Sequence, residues 1–198
     1  MHAITEVICG PMFSGKSEEL IRRMRRADIS GKHAVVFKPS IDTRYEINYV
    51  VSHNGSKIDS ISIDCDKNGV TSILDKVNEI SQKMHIDIVG IDEVHFFDPS
   101  IVGVVNKLSS DGIHVIVAGL DKDFRGEPFG PMPQLLAIAD YITKLDAVCV
   151  KCGGSATRTQ RIINGLPAKY NDPVRLVGAK DFYEARCKNC HEVPGKPE

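Results

Sequence analysis

Short β-branched runs alternating with longer segments of helical period predict an α/β protein, built on a mostly parallel sheet with helices on both faces. Two motifs refine that class. The pattern G-x-x-x-x-G-K-S directly follows the first apolar run, as in P-loop folds. Two C-x-x-C pairs near the C-terminus predict a small zinc-ribbon-like unit appended to the sheet.

The elements follow in chain order. Ile4 to Cys9, Ala34 to Phe37, Ile58 to Ile63, Ile86 to Ile91, Val115 to Ala118 and Tyr141 to Val148 read as strands, being too short and too β-branched for helices. Lys16 to Ile29 sets Leu20, Ile21, Met24 and Ala27 on one helical face, and Val70 to Met84 does the same with Val70, Ile73, Leu74, Val77 and Ile80. Pro99 suits a first helical turn, and Ile101, Val104, Val105 and Leu108 continue an apolar stripe until Gly112 ends it. Strand followed by helix, repeated, implies crossovers, and ligands of such sheets gather at the carboxyl ends of the strands. The expected division is a nucleotide-binding α/β domain over 1–148, a zinc-binding domain over 149–191 and a flexible tail over 192–198.

Composition removes several function classes. Twenty-five basic residues against 26 acidic ones leave a net charge of −1, which gives no global pull toward nucleic acid or an anionic membrane. The longest apolar stretches, such as Val115 to Leu120, fall far short of a membrane span. The residues from Met1 to Glu6 lack the basic flank and apolar region of a secretory signal, so the expected compartment is the reducing cytoplasm, where disulfides are disfavoured. Arg22-Arg23-Met24-Arg25-Arg26 spreads over the exposed side of a helix with no interleaved aromatic residue, which reads as a solvated face or a subunit contact.

Gly10-Pro11-Met12-Phe13-Ser14-Gly15-Lys16-Ser17 lies between a buried strand and a helix, the context in which this motif cradles phosphates. Its glycines let successive N–H groups face an anion, Lys16 can reach the outer phosphates, and the Ser17 hydroxyl can ligate Mg²⁺. A nucleoside triphosphate is the default ligand. The strand Ile86 to Ile91 ends in Asp92-Glu93, at the sheet edge that also carries the loop. Asp92 suits the magnesium of the triphosphate, and Glu93, pointing elsewhere, suits a general base. By itself such a strand end would only cap a turn; beside a phosphate loop it reads as catalytic.

Cys149, Cys152, Cys187 and Cys190 match a closed tetrahedral Zn²⁺ site, which is structural because it leaves no open position for water. Cys187 to His191 also matches C-x-x-C-H haem attachment, but that leaves Cys149 and Cys152 unexplained, and a redox dithiol needs only one pair. His191 is an alternative fourth ligand in place of Cys190. The long connection between the pairs, carrying Gly165, Pro167, Pro173 and Gly178, is expected to cover something.

Together these motifs resemble one family, the cytosolic (type II) thymidine kinases, whose P-loop domain carries a zinc-held lasso. The resemblance runs from Glu6 to His191 and rests on the phosphate loop, Asp42-Thr43-Arg44, Asp92-Glu93 before Phe96-Phe97, Phe124, Pro128-Phe129-Gly130 and the cysteine pairs. It implies Mg²⁺-dependent transfer of the γ-phosphoryl group of ATP to the 5′-hydroxyl of thymidine or deoxyuridine, a homotetramer, and inhibition by thymidine triphosphate. It further implies that Met12, Phe124 and Phe129 line the nucleoside pocket, with Phe124 stacking on the base. Val174, Arg175, Leu176, Val177, Gly178 and Tyr183 would read the pyrimidine edge and enclose the sugar, and Asp42, Thr43 and Arg44 would lie near the triphosphate. Without the resemblance, Phe124 and Phe129 read as core. His95 stands where the family usually has glutamine. Two rival readings remain: a nucleic-acid-stimulated P-loop ATPase that grips its partner with a zinc knuckle, and a nucleotide sensor without turnover.

Overall fold

The computed structural model describes residues 3–41, 49–51, 55–174 and 182–197. Strand β1 (Thr5–Cys9) leads through the glycine-containing loop into helix α1 (Lys16–Ile29). Strand β2 (Ala34–Pro39) follows, then a separate antiparallel ribbon of β3 (Tyr49–Val51) and β4 (Lys57–Asp59), and then β5 (Ile61–Ile63). Helix α2 (Lys67–Ser81), strand β6 (Ile88–Ile91), a single 3-10 turn (Val94–Phe96), helix α3 (Ile101–Ser110) and strand β7 (His114–Gly119) complete the repeated pattern. A short helix, α4 (Met132–Ile138), precedes β8 (Tyr141–Lys144). The C-terminal part is all strand: β9 (Ala147–Val148), β10 (Ser155–Ala156), β11 (Arg158–Ile163), β12 (Leu166–Pro167) and β13 (Phe182–Arg186).

The main sheet has the order β5-β2-β6-β7-β1-β8, and every neighbouring pair in it is parallel. This is the mostly parallel α/β sheet that the alternating pattern predicts. Side chains alternate across it as the pleat requires. Val7 and Cys9 of β1 join the cluster formed with α2, α3 and α4, whereas Ile8 joins Leu20, Ile21 and Met24 of α1 on the other face. Burial of each such large aliphatic side chain favours folding by roughly 1.5–3 kcal/mol, so both layers are firmly attached. No helix among the described residues is long and apolar enough to cross a membrane.

Three elements depart from the periodicity reading. The run Ile58 to Ile63 divides at Ser60, because Lys57–Asp59 pairs antiparallel with β3 while Ile61–Ile63 pairs parallel with β2. Tyr141 to Val148 divides after Lys144, where the Leu145 amide closes onto the Cys9 carbonyl at 2.7 Å and the chain leaves the sheet. Helix α2 starts three residues early because the Asp66 carboxylate accepts a hydrogen bond from the Gly69 N–H at 2.7 Å, an N-cap that the apolar stripe does not reveal. The long C-terminal connection contains an antiparallel sheet, β12-β11-β13, whose β11–β12 hairpin turns at Asn164-Gly165 with both residues at positive φ. The residues beyond His191 are bonded back to the molecule: the Glu192 amide donates to Gln160 Oε1 and the Pro194 carbonyl accepts from the Tyr170 amide.

Candidate functional site

The phosphate loop leaves β1 at Gly10, and this position admits no side chain. A Cβ there would lie 2.4 Å from the Leu145 carbonyl oxygen, and the φ of 151° belongs to glycine. Phe13 takes a positive φ of 66°, Gly15 one of 81°, and α1 begins at Lys16 with its N–H groups unengaged by any side-chain cap. Glu18 and Glu19 in the first turn and the aligned peptide dipoles describe an ordinary helix start, but one whose amides face the loop. Lys16 is buried and donates to the Pro11 carbonyl at 2.7 Å, spanning the loop it belongs to. Ser14 Oγ donates to the same carbonyl at 2.8 Å.

The second half of the site comes from β6, all four residues of which are buried. Asp92 follows it, held by its own amide on the Phe37 carbonyl at 2.9 Å. The Ser17 hydroxyl donates to Asp92 Oδ2 at 2.9 Å, so the loop and the acidic strand end meet although β7 lies between their strands. Glu93 next to it has a φ of 47°, a left-handed conformation that costs a non-glycine residue about 1–3 kcal/mol and recurs at functional sites. His95 is fully buried; its Nδ1 accepts the Leu120 N–H at 3.1 Å and lies 3.6 Å from Glu93 Oε2. Its ring packs on Phe96 and Phe129, and a Cβ on Gly130 would lie 2.3 Å from the His95 carbonyl oxygen.

At the carboxyl end of β7, Asp121 pairs with Lys122 and with Lys144, the latter at 3.0 Å. Burial pushes the Asp121 carboxyl up, but the two ammonium groups outweigh it and the group sits below its ordinary value. Beyond lies Phe124, which is buried, with the Arg161 guanidinium 5.4 Å from its ring centroid. Arg161 is fully buried in β11, donates from Nη1 to the Pro173 carbonyl at 2.6 Å, and pairs across the sheet with Tyr183. Two residues before it, the Thr159 hydroxyl accepts the Met12 N–H at 3.0 Å. Met12, Phe124 and Tyr183 thus border one strand, β11. Phe129 is buried beside His95, and Val174 is half-buried just beyond Pro173.

The sulfur atoms of Cys149, Cys152, Cys187 and Cys190 all lie within 4.8 Å of one another, and Cys152 and Cys187 are 3.7 Å apart. A tetrahedron with metal–sulfur arms of about 2.3 Å has an edge of about 3.8 Å, so this donor set is compatible with a structural zinc. The amide of Cys187 and other nearby N–H groups favour the Cys149 thiolate, lowering it to about 6, whereas the bond to Cys187 pushes Cys190 up to about 12. Four thiols this close cannot all ionise without a cation among them. His191 is not one of the cluster. Its Nε2 donates to the Phe124 carbonyl at 2.8 Å, and burial pushes the imidazole below its ordinary value. All six cysteines are free of disulfides.

A family model for thymidine kinase matches residues 3–191, nearly the whole chain. The chain belongs to the thymidine kinase family. Membership makes it a nucleoside kinase, a transferase whose substrate is a nucleoside. In this thymidine kinase family member, the expected site residues Asp42, Thr43, Arg44, Arg175, Leu176, Val177 and Gly178 lie outside the described residues. Arg125 donates to Asp123 at 2.8 Å and packs its guanidinium 5.3 Å from the Tyr170 ring centroid. Thr159 and the pairing of the buried Asp121 with the exposed Lys144 carry no motif. The only sequence signal near them is the Asn164-Gly165 turn, which would have marked a hairpin and hence placed Thr159 and Arg161 on one face of a strand.

Proposed function

We propose that the protein is a thymidine kinase in the strict sense, transferring the γ-phosphoryl group of ATP to the 5′-hydroxyl of thymidine or deoxyuridine. The observation that carries this reading is the 2.9 Å contact between Ser17 Oγ and Asp92 Oδ2, with the Glu93 carboxyl next along the chain and 3.6 Å from His95 Nδ1. Such an arrangement separates a magnesium-binding pair from a carboxylate left to handle the acceptor's proton. Glu93 accepts the proton of the 5′-hydroxyl as the hydroxyl attacks in line. Lys16 leaves the Pro11 carbonyl for the phosphate oxygens, and the amides from Phe13 to Ser17 surround them. Ser17 and, through water, Asp92 would hold the magnesium that comes with the triphosphate, which when bound would neutralise phosphate charge. Phe124 offers its ring to the base, with Met12, Phe129, Val174 and Tyr183 around it and the 175–178 backbone at the pyrimidine edge. Asp42, Thr43 and Arg44 serve the triphosphate. Zn²⁺ holds the C-terminal sheet together and takes no part in the transfer.

The family resemblance supports the remaining features: a cytoplasmic homotetramer that thymidine triphosphate inhibits. Light scattering tests the assembly, and inhibition assays test the effector.

The decisive experiment incubates γ-labelled ATP and Mg²⁺ with thymidine, deoxyuridine, deoxycytidine or deoxyguanosine, or with water alone, and adds single-stranded DNA in parallel. Labelled thymidine monophosphate as the main product is the expected result. DNA-stimulated release of phosphate without nucleotide product would replace the kinase by a motor, and silence in every lane would leave a sensor. Glu93→Gln should retain ATP binding and lose most turnover; near-normal kcat would remove Glu93 from the base role.

A further inference from the structure

We propose that Thr159 is a positioning residue for phosphoryl transfer, holding the phosphate loop at a set distance from the acceptor pocket. The inference rests on the kinase reading above and extends it to a residue outside every motif. Thr159 is buried, and its hydroxyl accepts the Met12 N–H at 3.0 Å across 147 positions of sequence. That amide lies immediately before Phe13, where the loop turns into its left-handed conformation. Bonding Met12 to Thr159 therefore fixes where this turn begins, and with it the direction of the amides that follow.

The other end of the connection is equally specific. Thr159 and Arg161 are two residues apart in a strand and share one of its faces. Arg161 is fully buried, reaches the Pro173 carbonyl at 2.6 Å and lies 5.4 Å from the centre of the Phe124 ring. Gln160, on the opposite face, is clamped to the Glu192 backbone by two hydrogen bonds of 2.8 Å. Strand β11 is also bonded on both edges, to β12 and β13. It is a stiff element with one residue on the donor loop and the next inward-facing residue on the acceptor side. In-line transfer needs the γ-phosphorus and the attacking oxygen aligned, and a displacement of about 1 Å costs about 100-fold in rate. A bond between the two halves controls that alignment.

The proposal predicts a split between turnover and binding. Thr159→Val keeps the shape but leaves the Met12 amide without its acceptor, and kcat for nucleoside phosphorylation should fall about 10- to 100-fold. The Kd values for ATP and for nucleoside, each measured separately by titration, should change less than about threefold. Thr159→Ser, which restores the hydroxyl, should recover most of the lost turnover. A folded Thr159→Val enzyme with kcat within twofold of the parent overturns the proposal. So does a loss confined to nucleoside affinity, which would put the hydroxyl to work on the nucleoside instead, or a failure of the Ser variant to rescue, which would show that the hydroxyl alone does not carry the effect.

If Thr159→Val fails to fold, hydrogen exchange of the unmodified protein decides. The Met12 amide should be protected well beyond the neighbouring loop amides, and exchange at their rate removes the bond on which the idea stands. Absence of nucleoside phosphorylation in the unmodified protein would sink the kinase reading instead, and the exchange rate of the Met12 amide would still show separately whether the bond to Thr159 forms.

Discussion

Stripping metal from the four-cysteine cluster should release the C-terminal sheet while the main sheet stays folded. Cys152 and Cys187 are 35 positions apart, and a tie closing a loop of that length contributes about 4 kcal/mol through chain entropy alone. Polar ties such as Thr159 to Met12 and His191 to Phe124 join this region to the rest, but little apolar packing holds it. Its own buried apolar cluster consists of Cys149, Ala156 and Ala185, three small side chains worth about 1 kcal/mol or less apiece. The main sheet, by contrast, has large clusters on both faces. The tie therefore exceeds the local core that it protects. Metal analysis of the purified protein should find about one Zn²⁺ per chain. After chelation, hydrogen exchange should speed up over β9 to β13 and leave β1, β6 and β7 protected, and Cys152→Ser should reproduce the pattern. A metal-free preparation in which β11 and β13 keep full protection would overturn this account, because their order would then come from packing.

Gly10→Ala would place a methyl group 2.4 Å from the Leu145 carbonyl, at a φ that alanine avoids; it should destabilise by about 2–5 kcal/mol and abolish ATP binding, as thermal melts and titration would report. An unchanged Kd for ATP would contradict the close approach. Arg161→Lys keeps the charge but not the planar fork that joins the Pro173 carbonyl to the Phe124 face, so the KM for nucleoside should rise while the Kd for ATP stays constant. Glu19 is held at about 2, first by its bond to Arg22 and also by Arg23. A depressed carboxyl adds stability that is complete above its ordinary value near 4.5 and disappears as pH falls toward 2. Arg22 is 52% exposed, so solvent screening keeps the gain small. The urea midpoints of Glu19→Gln and the parent should differ at pH 6 and converge only as pH falls through about 2; a constant difference would remove the ion pairs as its cause.

Much of this fold is legible in the order of residues because its signals are local. The run Ile86 to Ile91, bounded on its carboxyl side by Asp92-Glu93, declares a buried strand and a charged edge within eight residues, and the strand forms over its last four apolar positions, Ile88–Ile91. The stripe Leu20, Ile21, Met24 and Ala27 declares α1. The boundaries that shifted depend on partners instead. Nothing between Ile58 and Ile63 says that the first half pairs with β3 and the second with β2, and only the Leu145 amide meeting the Cys9 carbonyl explains why β8 stops at Lys144.

The same division applies to the site. The phosphate loop, the acidic pair and the four cysteines can be read from the order of residues, because each is a short string whose spacing is set by the geometry of a phosphate or a metal. Folding was needed to show that Ser17 meets Asp92, that His95 points its Nδ1 toward Glu93, and that His191 bonds to Phe124 and stands outside the cysteine cluster. It also brought Thr159 to Met12 and Arg161 to Phe124. Most of these contacts join residues tens to more than a hundred positions apart, and such distances close only when burial and sheet pairing have chosen which strands become neighbours.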